Sequence, residues 1–343
     1  MHNGNLSHIP QGGSEGSRRH MGEIEGLGYH SSPFAAQNNL DIELPPSFFI
    51  VGAPRCGTTA LSKALARNPR ISFSKPKEPH FFLEPRPNLS DTEIRTLYLG
   101  RYHAQLGAHH QALGEGSVSY FYSSDAITRA LNFDDRAKFI VLVRNPLEML
   151  PSYHSRMLYQ LDEDIKDFAK AWALQDSRSS GRNLPKRCRD PRLLQYGEVG
   201  KHGAHLERLF EVAGRDRCLV IVFDDFRQTP RAVYEQVLGF LNVDDDGQAK
   251  FTRKRETAGF KSRWLQQFVM NPPPWLWRFI ELSDPNKLLP RLKPIRRRIK
   301  KFNTYQEERP ALSPEMRRVL QAYFAADLKK LSALLNRDFS HWG

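Results

Sequence analysis

The chain has 343 residues, of which 40% are hydrophobic and 26% are charged, a composition that excludes a chain disordered throughout and a fibrous repeat protein. Its 51 Lys and Arg against 38 Asp and Glu give a net charge of +13, so anionic partners are expected, whether nucleic acid, an acidic membrane surface, an acidic polymer or a phosphorylated cofactor. The longest apolar stretches, such as Phe139–Val143, fall far short of the roughly 18 residues that span a bilayer, which excludes a transmembrane enzyme.

The first segment, residues 1–44, has neither the helical nor the strand period of apolar residues and is predicted to be a flexible N-terminal arm. It has no basic segment followed by an apolar one, so no secretory signal is expected. Its four histidines are scattered without the spacing of metal ligands, and no metal site is predicted there.

From Pro45 onward, short apolar runs alternate with amphipathic stretches, which is the pattern of a parallel sheet covered by helices. The predicted strands are Ser47–Gly52, Ile71–Phe73, Ala112–Gly116, Phe139–Val143 and Cys218–Phe223. The predicted helices cover about 59–68, 91–105, 123–132, 146–160, 199–213, 230–241 and 313–336. The expected fold is therefore α/β, a P-loop-like three-layer fold with a central parallel sheet flanked by helices, and residues 45–343 are predicted to form a single domain.

A glycine-containing loop, Gly52–Thr59, follows the first predicted strand and precedes a predicted helix. In this setting, backbone N–H groups and the positive helix terminus bind phosphate. Thr58 stands where the loop of a nucleoside triphosphatase carries its lysine, which argues against hydrolysis of ATP or GTP. Arg55 suits planar oxyanions because its guanidinium binds them in a fork. A tight turn without a ligand is the alternative.

A second predicted anion site follows the strand Phe139–Val143, where Arg144 is succeeded by Asn145 and Pro146. Arg144 is expected at the carboxyl edge of the sheet, where open α/β proteins bind ligands. Ser152, eight residues further on, could place a hydroxyl near the same phosphate. Arg144 alone could equally be a salt-bridge partner at a helix end, but together with the glycine loop it predicts a nucleotide with phosphates at two separate places.

Residues 264–302 are predicted to be a basic and aromatic insert. Trp264, Trp275 and Trp277 precede the segment Lys293–Lys301, in which six of nine residues are basic. One interpretation is a solvated helix face beside core tryptophans. The other is a rim that attracts an acidic acceptor or a membrane surface, and the sequence leaves both open.

Taken together, these segments resemble the PAPS-dependent sulfotransferases, in particular the carbohydrate, heparan-sulfate-like branch with its bacterial cytosolic relatives. The resemblance covers most of residues 46–342. Gly52–Thr59 is similar to the family's 5′-phosphosulfate loop, and Arg144–Pro146 with Ser152 is similar to its 3′-phosphate element. The other similar segments are Lys77–Phe82, which resembles E-x-H-F-F, Gly114–Phe121, which resembles E-K-[ST]-P-x-Y-[FL], and Leu312–Trp342, which resembles the closing helix and tail.

The resemblance implies that a sulfuryl group passes from PAPS, the co-substrate, to an acceptor hydroxyl with no metal required. Glu78 is the expected general base, His80 is the rival base, and Arg55 is expected to neutralise charge on the leaving oxygen. The expected cofactor contacts are Arg55, Cys56, Gly57, Thr58, Thr59, Arg144, Ser152, Lys261, Ser262 and Arg263.

The chain also departs from the family pattern at three positions. Arg55 stands in place of the usual lysine of the 5′ loop, and Gly116 and Val118 replace the lysine and proline of the E-K-[ST]-P segment. A cationic contact is therefore missing at residue 116, and Lys75 or Lys77 is the candidate to replace it.

Three other functions compete with this one. The first is a P-loop kinase or triphosphatase, which needs the lysine that Thr58 replaces. The second is a basic nucleic-acid-binding protein that uses Lys293–Lys301, but the sequence shows no helix-turn-helix, finger or RNA-binding signature. The third is a non-catalytic protein with the sulfotransferase fold.

The sequence leaves the acceptor open, as a carbohydrate, a glycolipid or a small metabolite, with contact to an anionic surface also open. The three cysteines lack the spacing of a zinc site, and their odd number argues against a disulfide framework. The cysteine usage favours a reducing cytoplasm. Eukaryotic members of the resembled family are anchored in the Golgi and often carry a disulfide, and because neither feature is expected here, the resemblance favours a bacterial enzyme.

Overall fold

The computed structural model describes residues 44–249, 251, 258–270, 273, 285–306 and 311–343. The predicted N-terminal arm lies outside the described residues except for Leu44, and so do Trp275 and Trp277 of the predicted insert.

Five parallel strands form the central sheet, in the spatial order β2-β3-β1-β4-β5. The strands are β1 (Ser47–Gly52), β2 (Ile71–Phe73), β3 (Ala112–Glu115), β4 (Lys138–Val143) and β5 (Cys218–Val222). Every residue of β1 is buried, as is every residue of β4 except Lys138, as expected of strands covered by helices on both faces. The predicted α/β fold is confirmed, and each strand boundary lies within one residue of its prediction.

Helices connect the strands and cover the sheet. The α-helices described between residues 44 and 249 are α1 (Thr58–Leu65), α2 (Asp91–Tyr102), α3 (Ser124–Phe133), α4 (Pro146–Gln160), α5 (Phe168–Ala173), α6 (Gln175–Ser179), α7 (Tyr196–Gly200), α8 (His202–Ala213), α9 (Phe223–Gln228) and α10 (Pro230–Leu241). The start of α4 follows from its sequence, because Asn145 caps it by accepting from the Leu147 N–H at 2.9 Å and Pro146 fits its first turn. The short helices α5, α6, α7 and α9 were not predicted.

The predicted helix over 199–213 is wrong at its start, because the chain breaks at Lys201 into α7 and α8. The break has a tertiary cause. The carboxylate of Asp327, which lies far away in the sequence, accepts from the N–H groups of Gly203 at 2.9 Å and Ala204 at 2.8 Å. These are first-turn amides that a continuous helix would bond internally, so Asp327 stabilises a new N-terminus at this point.

The remaining described elements are β6 (Ala258–Phe260), α11 (Arg263–Met270), α12 (Pro285–Asn303), β7 (Thr304–Gln306) and α13 (Pro314–Leu335). β6 and β7 pair as an antiparallel ribbon. The Ser313 hydroxyl caps α13 by accepting from the Met316 N–H at 3.1 Å, and Leu320 and Phe324 of this helix are fully buried. The start of α13 therefore agrees with its prediction.

The described residues divide into two compact units. The larger one contains the described parts of 44–263 and 303–343, and the smaller one contains the described part of 264–302, with most of α11 and α12. The prediction of one domain over 45–343 stays a prediction. Among the described helices, none combines the length and apolar character that crossing a membrane requires.

Candidate active site

The crevice between β1 and β4 is where the sheet reverses its winding, because β1 connects toward β2 on one side and β4 toward β5 on the other. Ligands of open α/β sheets bind at the carboxyl ends of strands at such a point. The loop after β1 is tied to β4 through the Ala53 N–H, which donates to the Leu142 carbonyl at 2.6 Å. Arg144 Nη1 donates to the Arg55 carbonyl at 3.4 Å. The two predicted anion elements therefore meet in one crevice.

The glycine loop leads directly into the N-terminus of α1. Gly57 caps this helix without a side-chain hydrogen bond, with φ at 97°, a left-handed conformation that favours glycine. A side chain here would also approach the Phe223 ring to 3.1 Å. The amides of Thr58 and Thr59 lie in the first turn, where a helix offers no internal acceptor. This terminus has the backbone geometry that binds an anion.

Arg55 joins the loop to α4. Its backbone is left-handed, with φ at 64°, and its Nε donates to the Oγ of the buried Ser152 at 2.8 Å. The neighbouring Cys56 is fully buried, and burial raises the pKa of its thiol to about 12. The thiol is therefore neutral near pH 7, and Cys56 can contribute to an anion site only through its backbone.

Arg144 is held in place from two sides. Its Nη2 donates to the exposed carboxylate of Glu148 at 2.8 Å, and its guanidinium lies 4.6 Å from the centre of the Phe223 ring. Because Glu148 lies in the first turn of α4 and its carboxylate is exposed, its ion pair with Arg144 contributes little free energy. A phosphate could therefore replace Glu148 as the partner of Arg144. Arg144 is thus fixed at the carboxyl end of β4, where the sequence predicts it.

Lys77 reaches the same loop from the segment after β2. Its Nζ donates to Thr58 Oγ1 at 3.3 Å and to Glu78 Oε1 at 2.7 Å. A Cβ on Gly116 would stand 2.8 Å from Lys77 Cε, so the absence of a side chain at residue 116 leaves room for Lys77. The other candidate, Lys75, donates instead to Gln105 Oε1 at 3.1 Å on the surface. Of the two candidate lysines, Lys77 is therefore the one that reaches the loop.

Glu78 and His80, the two candidate bases, lie on one loop. Glu78 Oε2 is 3.7 Å from His80 Nε2. His80 has a left-handed backbone with φ at 54°, held by its N–H donating to Ser117 Oγ at 2.9 Å, and its Nδ1 lies 2.8 Å from Ser119 Oγ. Partial burial lowers the pKa of His80, while the Glu78 carboxylate opposes this effect. The imidazole is therefore expected to be neutral at pH 7.

Comparison with known families connects this geometry to a chemistry. The family described as the sulfotransferase domain matches residues 45–271, more than half of the chain and all five strands of the sheet. The chain belongs to the sulfotransferase family. The sequence resemblance is thereby confirmed at the level of the family, while the roles of single residues stay predictions.

Individual relatives of this sulfotransferase are distant. The mouse bifunctional heparan sulfate N-deacetylase/N-sulfotransferase 3 is 27% identical over 207 residues, which cover 58% of this chain and 22% of that protein. Mouse carbohydrate sulfotransferase 15 is 25% identical over 248 residues, covering 58% of this chain and 44% of that protein. The chain thus spans less than half the length of either relative.

The fold is shared with a solved bacterial sulfotransferase. The crystal structure of the sulfotransferase from Alicyclobacillus acidocaldarius superposes with a TM-score of 0.59 and is 23% identical, covering 88% of this chain and 99% of that one. The fold of this chain is therefore similar to that of the solved sulfotransferase over most of its length.

The predicted contacts lie directly after β6, with Lys261 and Ser262 in the connection and Arg263 at the first position of α11. The Lys261 N–H donates to the Asn303 carbonyl at 2.8 Å, and the Ser262 N–H donates to Asn303 Oδ1 at 2.9 Å. The ribbon also reaches α4, since the hydroxyls of Thr304 and Tyr159 lie 3.1 Å apart. These contacts connect the ribbon to α4, the helix that carries Ser152. The contact of Lys261, Ser262 and Arg263 with a 3′-phosphate stays a prediction.

Glu115 is a residue to which sequence reasoning gave no role. It ends β3 with its side chain fully buried and accepts from the Tyr98 hydroxyl at 2.6 Å. Burial raises its pKa from 4.5 to about 7. The sequence alone does not show that this glutamate is buried or what it bonds, because its partner Tyr98 lies on a different element, α2.

Replacing Glu115 with Gln is expected to flatten the pH dependence of stability. The unfolded carboxyl titrates near 4.5 and the folded one near 7, so the stability due to the neutral form is complete below pH 4.5 and is lost as the pH rises through 7. Thermal unfolding midpoints across this range should fall more steeply for the native chain than for Glu115→Gln. The exposed Glu211→Gln is the control, and equal slopes in all three proteins would contradict the assignment.

Proposed function

We propose that this sulfotransferase transfers a sulfuryl group from PAPS to an acceptor hydroxyl. The observation that carries the proposal is the hydrogen bond from Arg55 to Ser152, because it joins the glycine loop to the second anion element in one crevice. A nucleotide with phosphates at both its 5′ and 3′ positions needs two such sites at a fixed separation. A nucleoside triphosphate has a single phosphate chain and does not need the second one.

Each anion element receives one phosphate in this proposal. The first-turn amides of α1 at Thr58 and Thr59 bind the 5′-phosphate, aided by Gly57, whose conformation leaves them exposed to the crevice. Arg144 and Ser152 bind the 3′-phosphate, and Arg55 lies between the two through its bond to Ser152. Lys261, Ser262 and Arg263 complete the 3′ side.

The transfer step is an in-line displacement at sulfur. The Glu78 carboxylate accepts the proton of the acceptor hydroxyl, and the acceptor oxygen forms its bond to sulfur as the bond from sulfur to the 5′-phosphate oxygen breaks. The electron pair of the broken bond stays on that oxygen, which leaves as part of adenosine 3′,5′-bisphosphate (PAP). Arg55, as the sequence predicts, neutralises this developing charge, and Lys77 joins it because its Nζ donates to the hydroxyl of Thr58 in the same loop. Positioning and charge therefore supply the catalysis.

The acceptor in this proposal is a hydroxyl compound, with a carbohydrate or glycolipid favoured over a small metabolite. The support for a carbohydrate, rather than for a hydroxyl in particular, is that two relatives are named a heparan sulfate N-deacetylase/N-sulfotransferase and a carbohydrate sulfotransferase. We also propose a cytoplasmic location, since Cys56, Cys188 and Cys218 are free thiols, as expected in a reducing compartment.

Calorimetric titration of the purified chain with PAP, and separately with ATP and magnesium, tests the function. Micromolar binding of PAP with much weaker binding of ATP is expected. Arg144→Ala should weaken PAP at least about tenfold, the loss typical of one charge-assisted contact, and should leave adenosine 5′-phosphosulfate nearly unaffected. Arg317→Ala, an exposed arginine on α13, is the control.

Two results of this titration, and one of a separate DNA-binding measurement, would count against the proposal. Preference for ATP would favour the kinase or triphosphatase, and equal losses of PAP and adenosine 5′-phosphosulfate would remove Arg144 from the 3′-phosphate. Steeply salt-dependent binding of DNA with no response to PAP would favour a nucleic-acid-binding protein.

A further inference from the structure

The smaller unit exposes large apolar side chains beside positive charge. On α12, Ile295 and Phe302 are 53% and 71% exposed. Phe302 follows Ile295 by two helical turns, so both lie on one face of the helix. Burial of apolar surface is the main stabilising contribution in a folded protein. A helix that leaves an isoleucine and a phenylalanine on one exposed face therefore has a face suited to a further partner.

Basic residues lie within and beside this apolar face. Arg298 is three residues after Ile295 and four before Phe302, so its side chain stands between them on the same face, and Lys301 lies one turn beyond Arg298. Both are exposed, as is Arg297. The opposite flank is held to the unit itself, because Arg296 Nε donates to the Val269 carbonyl at 3.0 Å. The outward face thus combines two large apolar groups with positive charge.

The exposure of Trp264 decides between the two interpretations that the sequence left open for this tryptophan. It is the second residue of α11 and lies in the same unit, is 71% exposed, and stacks on Phe268 with ring centres 5.9 Å apart. It is therefore not a core residue. Exposed tryptophan and phenylalanine beside lysine and arginine form the combination that binds at the interface between water and lipid.

We propose that the face of α12 defined by Ile295, Arg298 and Phe302 docks on the surface of a bilayer that contains anionic phospholipids. The cations meet the anionic headgroups, and the two apolar side chains enter the boundary with the acyl chains. This occupant is favoured over a soluble polyanion because a polyanion would leave Ile295 and Phe302 exposed to water. The docking is peripheral, and it does not depend on the proposed sulfuryl transfer.

Sedimentation of the full chain with lipid vesicles tests the proposal. We expect binding to vesicles of phosphatidylcholine mixed with phosphatidylglycerol and little binding to phosphatidylcholine alone. Arg298→Glu with Lys301→Glu should lower the partition coefficient at least about twentyfold, since each cation near an anionic surface contributes roughly fivefold. Phe302→Ser should lower it about tenfold.

The matched controls lie on α13, where Arg317, Arg318 and Val319 form a similar exposed group. Arg317→Glu with Arg318→Glu, and separately Val319→Ser, should leave vesicle binding unchanged. Circular dichroism and PAP titration of every variant establish that it is folded. Absence of binding to the mixed vesicles, equal loss in the α13 variants, or tighter binding to heparin or DNA that is insensitive to Phe302→Ser would each overturn the proposal.

Discussion

Glu78→Gln is expected to lower the rate of sulfuryl transfer about 10²–10⁴-fold, the usual contribution of a general base, and to leave PAP affinity within a few-fold. The amide cannot accept the acceptor proton, yet its oxygen can still accept from Lys77 as Glu78 Oε1 does at 2.7 Å. The loop geometry is therefore preserved while the proton acceptor is removed. Single-turnover transfer from labelled PAPS to the first acceptor found in a screen measures the effect, and calorimetry measures PAP binding.

His80→Asn is the comparison that separates the two candidate bases. His80 lies 3.7 Å from Glu78 and is held by Ser119, so its loss should reduce transfer far less than Glu78→Gln does if the ring only positions the loop. A fully active Glu78→Gln together with an inactive His80→Asn would assign the base to the histidine. A large loss of PAP affinity in Glu78→Gln would show that the substitution disturbs the phosphate site itself.

The frame of the site could be predicted because its signals are local. Three of its parts can each be predicted from a few consecutive residues. They are the buried strand β1, the loop that ends at Gly57 and the start of α4 capped by Asn145. Parallel strands then bring their carboxyl ends to one edge whatever the intervening sequence. The meeting of the loops at Arg55 and Arg144 follows from this arrangement.

The remaining features depend on partners far apart in the chain. The break between α7 and α8 is fixed by Asp327, and the burial of Glu115 becomes interpretable only beside Tyr98. The sequence could name Lys75 and Lys77 as rivals but could not choose between them, because the choice depends on the path of a side chain across Gly116. Side-chain direction in a loop is set by packing and not by any periodic pattern.

Lys77→Met is expected to lower transfer about 10²–10³-fold, the loss typical of removing one preorganised group that stabilises charge in the transition state. Methionine keeps an apolar stem near Gly116 and removes only the cation that reaches Thr58. Lys75→Met is the matched control because Lys75 bonds Gln105 on the surface, and it should retain nearly full activity. Full activity of Lys77→Met would remove the cation from the mechanism.

Moving the lysine from residue 77 to residue 116 tests whether transfer requires the cation at residue 77 or only a cation near the glycine loop. Gly116→Lys alone should reduce transfer, because its Cβ would stand 2.8 Å from Lys77 Cε and one of the two chains must move. In the Lys77→Ala background the collision with Lys77 disappears and only the close approach to Ser62 Oγ at 3.0 Å remains. A lysine at residue 116 can then occupy the vacated space, so the double variant should be more active than Lys77→Ala. Such a departure from additivity is the mark of residues that share one site. A double variant no better than Lys77→Ala would mean that the cation must come from the segment that carries Glu78, where Lys77 contacts both Glu78 and Thr58 of the glycine loop.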